Sequence, residues 1–367
     1  MFRKIKGQSQ VIDLLSSAIV NNRISQAYLF HGGDGVGKFI TALYFGMALN
    51  CLSSREYRPC GVCASCHKFM ALEHPDFHYL FPTTNLKLSV DGEIKDPEGL
   101  AQYNAYIQNK KDSPWAEFYF NGSTEIRKES IALLIKRLEL SIHEGDYRVV
   151  IIENADMMNT STANAFLKTL EEPPDQTVII LITERLPQLL PTIVSRCQPV
   201  YFKPLSQAVI QEILFDQFAV DTVMAKSAAR ISGGNLKTAI RVAQDSSNTT
   251  RIKAFEMLDL AARDAGLEYL ALATKGKESK DQVSDLISYL GIIVNDLAIV
   301  RYAPGEITNL DKAELLSSLA DDAVTEGVPD FLLLLDDYNR KLGGNVNPGI
   351  LQLNLFLNLR NLLRKSS

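Results

Sequence analysis

The run His31-Gly32-Gly33-Asp34-Gly35-Val36-Gly37-Lys38 has the residue types and spacing to handle phosphates. Glycines without a Cβ let successive backbone N–H groups converge on phosphate oxygens. A helix N-terminus placed directly after them adds partial positive charge. Lys38 is spaced to reach the outer phosphates. The full pattern then asks for Ser or Thr, whose hydroxyl ligates magnesium. Here that residue is Phe39, and a phenyl ring binds no metal. The loop is expected to hold ATP or ADP and to be poorly equipped to hydrolyse it.

A second cluster points to a metal. Cys51, Cys60, Cys63 and Cys66 lie close together in the sequence, and Cys197 stands alone. Two overlapping Cys-x2-Cys steps plus Cys51 supply four thiolates, the set for a closed, tetrahedral, structural zinc site. His67, adjacent to Cys66, is a secondary candidate. An iron–sulfur cluster would call for a redox partner motif, and the sequence displays none.

These groups need a framework to position them. Ala27–Phe30 is an apolar run before the glycine loop and reads as a buried strand; Ile40–Leu49 after it reads as a helix. Strand, glycine loop and helix are the context a phosphate loop requires. Before them, residues 4–26 place Val11, Leu14, Leu15, Ala18 and Ile19 at helical spacing. His74–Phe81 reads as a second strand, its histidines as satisfied surface groups. Residues 82–122 break the rhythm and are expected to form an insertion over the domain edge, with no function assignable. Ile126, Ile131, Leu134, Ile135, Leu138 and Ile142 stripe a helix over 123–142. Val149–Ile152 is an apolar strand suited to the centre of a parallel sheet, ending in Glu153-Asn154. Thr160–Leu170 reads as a helix, Thr177–Ile182 as a strand, Leu189–Val194 as a short helix and Pro199–Phe202 as the last strand. Alternating strands and helices predict a doubly wound α/β domain.

After Pro204 the strand patterns stop. Ser206–Phe218, Asp221–Ser232 and Leu236–Ala243 predict three short helices forming a small lid. Residues 246–367 are helical in pattern, with amphipathic runs over Leu286–Val300 and Asp330–Leu342. Asn345-Val346-Asn347-Pro348 opens a last helix. The expected domains are therefore 1–204, with a knuckle at 51–66 and the insertion at 82–122; a helical lid at 205–245; and an all-helical part at 246–367 built for assembly.

Composition narrows the setting. The chain has 367 residues, 46% apolar and 22% charged, an ordinary balance for a water-soluble protein. Its 38 basic and 43 acidic residues give a net charge of -5, which argues against a stand-alone nucleic-acid binder. No apolar run reaches membrane-spanning length and the first residues carry no signal core. The expectation is a cytoplasmic protein without membrane contact.

Gly7-Gln8, the glycine loop, the four cysteines, His74-Pro75-Asp76, the strand end at Val149–Asp156, Leu170-Glu171-Glu172-Pro173-Pro174, Ser195-Arg196-Cys197 and Gly233-Gly234-Asn235 occur in one order. Together they resemble the clamp-loader subunits of bacterial DNA polymerase III, the delta-prime and gamma/tau subunits of the AAA+ class. The resemblance covers residues 1–245 with specific motifs, and the C-terminal helices mainly through Asn345–Pro348. It implies an AAA+ P-loop domain with a zinc knuckle, a helical lid and a helical collar. It also implies roles. Gly32, Gly33, Asp34, Gly35, Val36, Gly37, Lys38 and Phe39 match the nucleotide loop, and Cys51, Cys60, Cys63 and Cys66 match the Zn2+ ligands. Arg196 matches the arginine finger that reaches a neighbour's ATP. Thr183 matches the sensor-1 position, and Lys237 stands where the sensor-2 arginine would be.

The departures from the pattern carry further meaning. An active member has Asp-Glu where this chain has Glu153-Asn154, and an amide cannot serve as a general base. With Phe39 and Asn154, two catalytic elements are replaced at once. That implies a delta-prime-like subunit of the polymerase III holoenzyme, without polymerase or intrinsic ATPase activity. Its implied partners are the gamma/tau and delta subunits in a ring, and through that ring the sliding clamp and primer-template DNA. The alternative is an active gamma/tau motor, which asks for Ser or Thr at 39 and Glu at 154. A small P-loop kinase would leave the cysteine knuckle and the helical tail unexplained.

Overall fold

The computed structural model describes residues 2, 5–89, 91–115, 118, 120, 122–244, 249–273, 280–320, 322–342 and 347–364. Two compact units are formed, one by Met1–Ile213 with Ser232–Thr238 and the other by Leu214–Ile231 with Ala239–Ser367.

The first unit is built on five strands: β1 Ala27–Gly32, β2 Phe77–Leu80, β3 Arg148–Ile152, β4 Thr177–Thr183 and β5 Gln198–Phe202. Their order in the sheet is β2-β3-β4-β1-β5, and every pairing is parallel. β3 and β4 are buried at every position, and apart from Arg148, Thr177 and Thr183 their side chains are apolar on both faces. Alternation along the strands sends Tyr28, Phe30, Val149, Ile151 and Ile180 to one face and Leu29, Val150, Ile152, Ile179 and Leu181 to the other.

Helices cover both faces. The first carries side chains of α1 Ser9–Val20, α2 Lys38–Leu49 and α3 Ala64–Met70. The second carries those of α5 Lys128–Leu138, α6 Thr160–Glu171 and α7 Pro191–Val194. Between β2 and α5 the insertion contains α4 Pro97–Asp112, capped by the Asp96 side chain, which accepts from the Gly99 amide at 2.9 Å. The sequence pattern of 82–122 did not reveal this helix, whose faces are not cleanly amphipathic. Residues 90, 116, 117, 119 and 121 of the insertion lie outside the described residues.

His74 departs from its surface assignment. It is 3% exposed, its ring centre 4.4 Å from that of Phe69, and its Nδ1 accepts from the Asp76 amide. Asp76 in turn accepts from the amides of His143, Glu144 and Gly145 at 2.6, 2.9 and 2.8 Å. The His74-Pro75-Asp76 signature thus fastens the turn that leads into β3.

Helices α8 Gln207–Phe218 and α10 Leu236–Gln244 carry the chain between the units, with α9 Thr222–Ile231 between them. The second unit continues with α11 Thr249–Ala262, α12 Gly266–Ala273, α13 Lys280–Ile299, α14 Ala313–Leu319, α15 Asp322–Leu342 and α16 Pro348–Arg364. Asn347 caps α16 by accepting from the Gly349 amide at 2.9 Å, while Asn345 and Val346 of the same motif lie outside the described residues. Gln282–Ile299 is apolar and long enough to cross a membrane by length and composition, which the sequence reading did not register. Half of that stretch is buried within the unit, as in the core helix of a helical domain. It also carries Asp296, fully buried, which accepts from the Thr308 and Asn309 amides at 2.7 and 2.8 Å.

Candidate nucleotide-loop and metal sites

The glycine loop leaves the C-terminal end of β1, where parallel sheets place their ligand sites. Gly35 and Gly37 have φ of +64° and +93°, a region costly for residues with a Cβ. At Gly35 a Cβ would also stand 1.8 Å from Asn235 Oδ1, and the Leu236 amide donates to Gly35 O at 3.0 Å. Gly233-Gly234-Asn235 therefore closes on the loop from a distant part of the sequence. Gln8 does the same from the other end, its Nε2 donating to Val36 O at 3.1 Å and to Lys203 O at 2.8 Å.

The loop's charges are paired within the chain. Lys38 is 6% exposed and its Nζ donates to Gly32 O at 2.9 Å and to Gly33 O. Burial lowers its pKa. Lys237 Nζ lies 2.7 Å from Asp34 Oδ1. Burial works against the Asp34 carboxylate, but the Lys237 ammonium, with hydrogen bonds from Glu184 and the Gly35 amide, holds its pKa below the usual range. Lys237 thus sits beside the loop.

At the end of β3, one strand removed from β1, Glu153 is held from three sides. Lys110 Nζ is 2.9 Å from its Oε1, with only 8% and 13% of the two side chains exposed. Tyr79 and Tyr106 both donate to its Oε2, Tyr106 at 3.1 Å. Burial would raise the Glu153 pKa, but Lys110 and Tyr79 bring it below the ordinary value. Phe39 is buried, its ring 5.1 Å from that of Tyr79. Asn154 adopts φ +51° and, with Glu184, lines the cleft above the loop. Thr183, fully buried, donates from Oγ1 to Asp156 Oδ1 at 2.6 Å. The sequence-predicted loop, strand-end pair, Thr183 and Lys237 thus gather at one end of the sheet. Sequence reasoning missed Lys110, Tyr106 and Tyr79, two of them from an insertion without a recognisable pattern.

Arg196 belongs elsewhere on this unit. It follows α7 on a turn, with 32% of its side chain exposed, and pairs with Glu171. Its Nη1 donates to Thr192 O at 2.8 Å.

The four cysteines converge as their spacing predicts. Their sulfurs all lie within 4.8 Å of one another, and the pairs Cys51–Cys63 and Cys60–Cys66 are each 4.0 Å apart. Tetrahedral zinc with sulfur at about 2.3 Å sets sulfurs about 3.8 Å apart, so the set fits one Zn2+. Amides of Val62 and Cys63 donate to Cys60 Sγ at 3.5 and 3.3 Å, and the Cys66 amide to Cys63 Sγ at 3.5 Å. Such donors stabilise thiolate charge and fix ligand direction. A hydrogen bond from Ser53, with those amides, draws the Cys60 thiol down to about 6, while burial pushes the Cys66 thiol up. His67 is exposed and not part of the group. Cys197 is buried alone, its thiol raised to about 11 by burial.

The family described as "DNA polymerase III, delta subunit" matches residues 7–206. The Bacillus subtilis DNA polymerase III subunit delta' is 28% identical over 345 residues, covering 93% of this chain and 92% of that protein. Bacillus subtilis DNA polymerase III subunit tau is 24% identical over 378 residues, covering 95% of this chain and 59% of tau. Protein STICHEL of Arabidopsis thaliana is 30% identical over 324 residues, covering 82% of this chain but 23% of STICHEL. The chain therefore spans nearly all of the delta' protein and less than two thirds of the other two. With the family match running over more than half of its residues, the chain belongs to the DNA polymerase III delta-subunit family.

Proposed function

We propose that this chain is the non-hydrolysing, delta-prime-like member of a clamp-loader ring that helps place the sliding clamp on primed DNA. The observation that carries the reading is Phe39, a phenyl ring buried against Tyr79 where a working site presents a magnesium hydroxyl. Asn154, which cannot activate water, supports it from the end of β3. The division of labour follows the expected domains: an AAA+ nucleotide-binding-like part at 1–204, a lid at 205–245 and a collar at 246–367 for assembly. Zn2+ held by Cys51, Cys60, Cys63 and Cys66 is structural, since four protein ligands leave no open position. The setting is the cytoplasm.

In this reading the chain acts on a neighbour's ATP. Phosphoryl transfer builds charge on the γ-phosphate oxygens, and a guanidinium from the adjacent subunit stabilises it. Arg196 is the residue in that role; its exposed turn and planar fork suit it. The gamma/tau and delta subunits are the neighbours, and clamp and primer-template DNA are reached through the complex. The similarity to tau favours, as the alternative, an active gamma/tau-type motor.

The test has two stages. The isolated chain is assayed for ATP hydrolysis, and negligible turnover is expected; robust turnover favours the motor instead. Complexes reconstituted with a motor subunit, clamp and primed DNA are then compared with and without Arg196→Ala. The substitution should lower stimulated hydrolysis and slow clamp loading, and Arg196→Lys should rescue poorly. Unchanged loading with Arg196→Ala would remove the finger assignment.

A further inference from the structure

Helix α4 lays Lys110 across the two positions from which P-loop ATPases ligate magnesium. Those are the residue after the loop lysine and the acidic residue at the end of a second strand of the sheet. Here they are Phe39 and Glu153. Lys110 Nζ stands 4.2 Å from the centre of the Phe39 ring and 2.9 Å from Glu153 Oε1. An aromatic face attracts an ammonium and offers no lone pair to a divalent ion. The donor set present therefore fits an ammonium and does not fit Mg2+.

Just beyond α4, the indole of Trp115 covers the loop. A Cβ on Gly37 would stand 3.6 Å from Trp115 Cη2. Pro114, Trp115, Lys110, Lys38 and Lys237 line one cleft, which offers about 30 Å³ to water-sized occupants. That space admits a water or two between these side chains. Lys38 and Lys237, the other cations at the loop, are already engaged with Gly32 O, Gly33 O and Asp34.

We propose that α4 and the turn after it form a built-in plug for the nucleotide site. The Lys110 ammonium takes the place of the divalent metal, and Trp115 covers the loop where phosphates would lie. The inference rests on the non-hydrolysing reading and adds the device that keeps nucleotide out. It also gives part of the insertion a role.

Trp115 is the single tryptophan of the sequence, so the protein's indole emission reports on the plug alone. The full, zinc-loaded chain is titrated into the millimolar range with Mg·ATP, Mg·ADP, and ADP in EDTA, following emission and equilibrium dialysis of labelled ADP. The unmodified chain should give no saturable signal with any of them. Lys110→Ala and Trp115→Ala should each gain affinity for ADP by about tenfold or more, Trp115→Ala being read by dialysis. Trp115→Ala leaves the Lys110–Glu153 pair intact, so it tests the plug even where Lys110→Ala weakens the fold. Micromolar binding of Mg·ADP by the unmodified chain would overturn the proposal. So would a folded Trp115→Ala chain that binds ADP no better than the unmodified one. Neither result bears on Arg196, which is read in the assembled complex.

Discussion

Arg196 and Glu171 are paired on the surface of the first unit, the guanidinium Nη2 donating to Glu171 Oε1 from the turn after α7 to the end of α6. The side chains are 32% and 47% exposed. Pairs this open contribute about 0–1 kcal/mol, because water competes for both partners and two side chains lose freedom. Arg196→Ala and Glu171→Ala should therefore each change the free energy of urea unfolding by less than about 1 kcal/mol. A larger loss for Arg196→Ala would mean the residue is structural, and any fall in complex activity could then not be assigned to chemistry on a neighbour's ATP.

The four-cysteine site should bind about one equivalent of zinc. Cys51 and Cys66 are buried in the same apolar cluster as Phe45 and Phe69, so the metal ties the knuckle to the core. Stripping it with a chelator, or Cys51→Ser, should release the knuckle and lower Tm. A loss of about 2 kcal/mol corresponds to about 4–8 °C for a domain of this size. Metal analysis and thermal unfolding with and without chelator are the measurements. A chain that folds with four freely titrating thiols and an unchanged Tm would contradict the site.

Asp76 gives the first unit an acid-labile fastening. Burial alone would raise its pKa, but the amides of His143, Glu144 and Gly145 favour the carboxylate and bring it below the ordinary value. A carboxyl depressed in the folded state contributes stability that is present above its unfolded pKa, about 3.9. That contribution is lost as pH falls through the folded value. Asp76→Asn should cost about 2–3 kcal/mol at neutral pH, and the difference from the unmodified chain should shrink in acid. Urea unfolding of both proteins across the acid range measures it; a pH-independent difference would mean that charge is not what Asp76 supplies.

Much of this site is legible in the sequence because its signals are local. A strand, a glycine run and a helix in succession specify the loop, since the φ of Gly35 and Gly37 demands glycine. Cysteine spacing specifies the knuckle. The buried strands β1, β3 and β4 are continuous apolar runs, which is how parallel strands covered on both faces read. Lys110, Tyr106 and Trp115 were not legible. They stand at ordinary positions in an irregular segment, and their meaning comes from α4 being carried to the ends of β2 and β3. Glu153 could be placed at the strand end from sequence, but its partners could not, because tertiary packing alone brings them there. His74 was misplaced for a related reason: a lone histidine has no periodicity to reveal burial, and Phe69 and the Asp76 amide supply its partners.

The Lys110–Glu153 pair should show itself in the pH dependence of stability. Lys110 and Tyr79 together outweigh burial and keep the Glu153 pKa below its ordinary value. Removing the ammonium in Lys110→Ala leaves a nearly buried carboxylate facing two tyrosine hydroxyls, and desolvation then pushes its pKa up. A carboxyl whose folded pKa exceeds its unfolded value, about 4.3, contributes stability that is present below the unfolded value. That contribution is lost as pH rises through the folded value. Lys110→Ala should thus be closest to the unmodified chain in mild acid and fall progressively behind toward neutral pH, by about 3 kcal/mol. Glu153→Gln added to Lys110→Ala removes the unpaired charge and should recover most of the deficit at neutral pH. Urea unfolding of the unmodified chain, the single variant and the double variant between mild acid and neutral pH is the measurement. If Lys110→Ala loses the same stability at every pH, the lysine acts through its packing on Phe39 and Tyr106, and its charge is not what holds Glu153 in place.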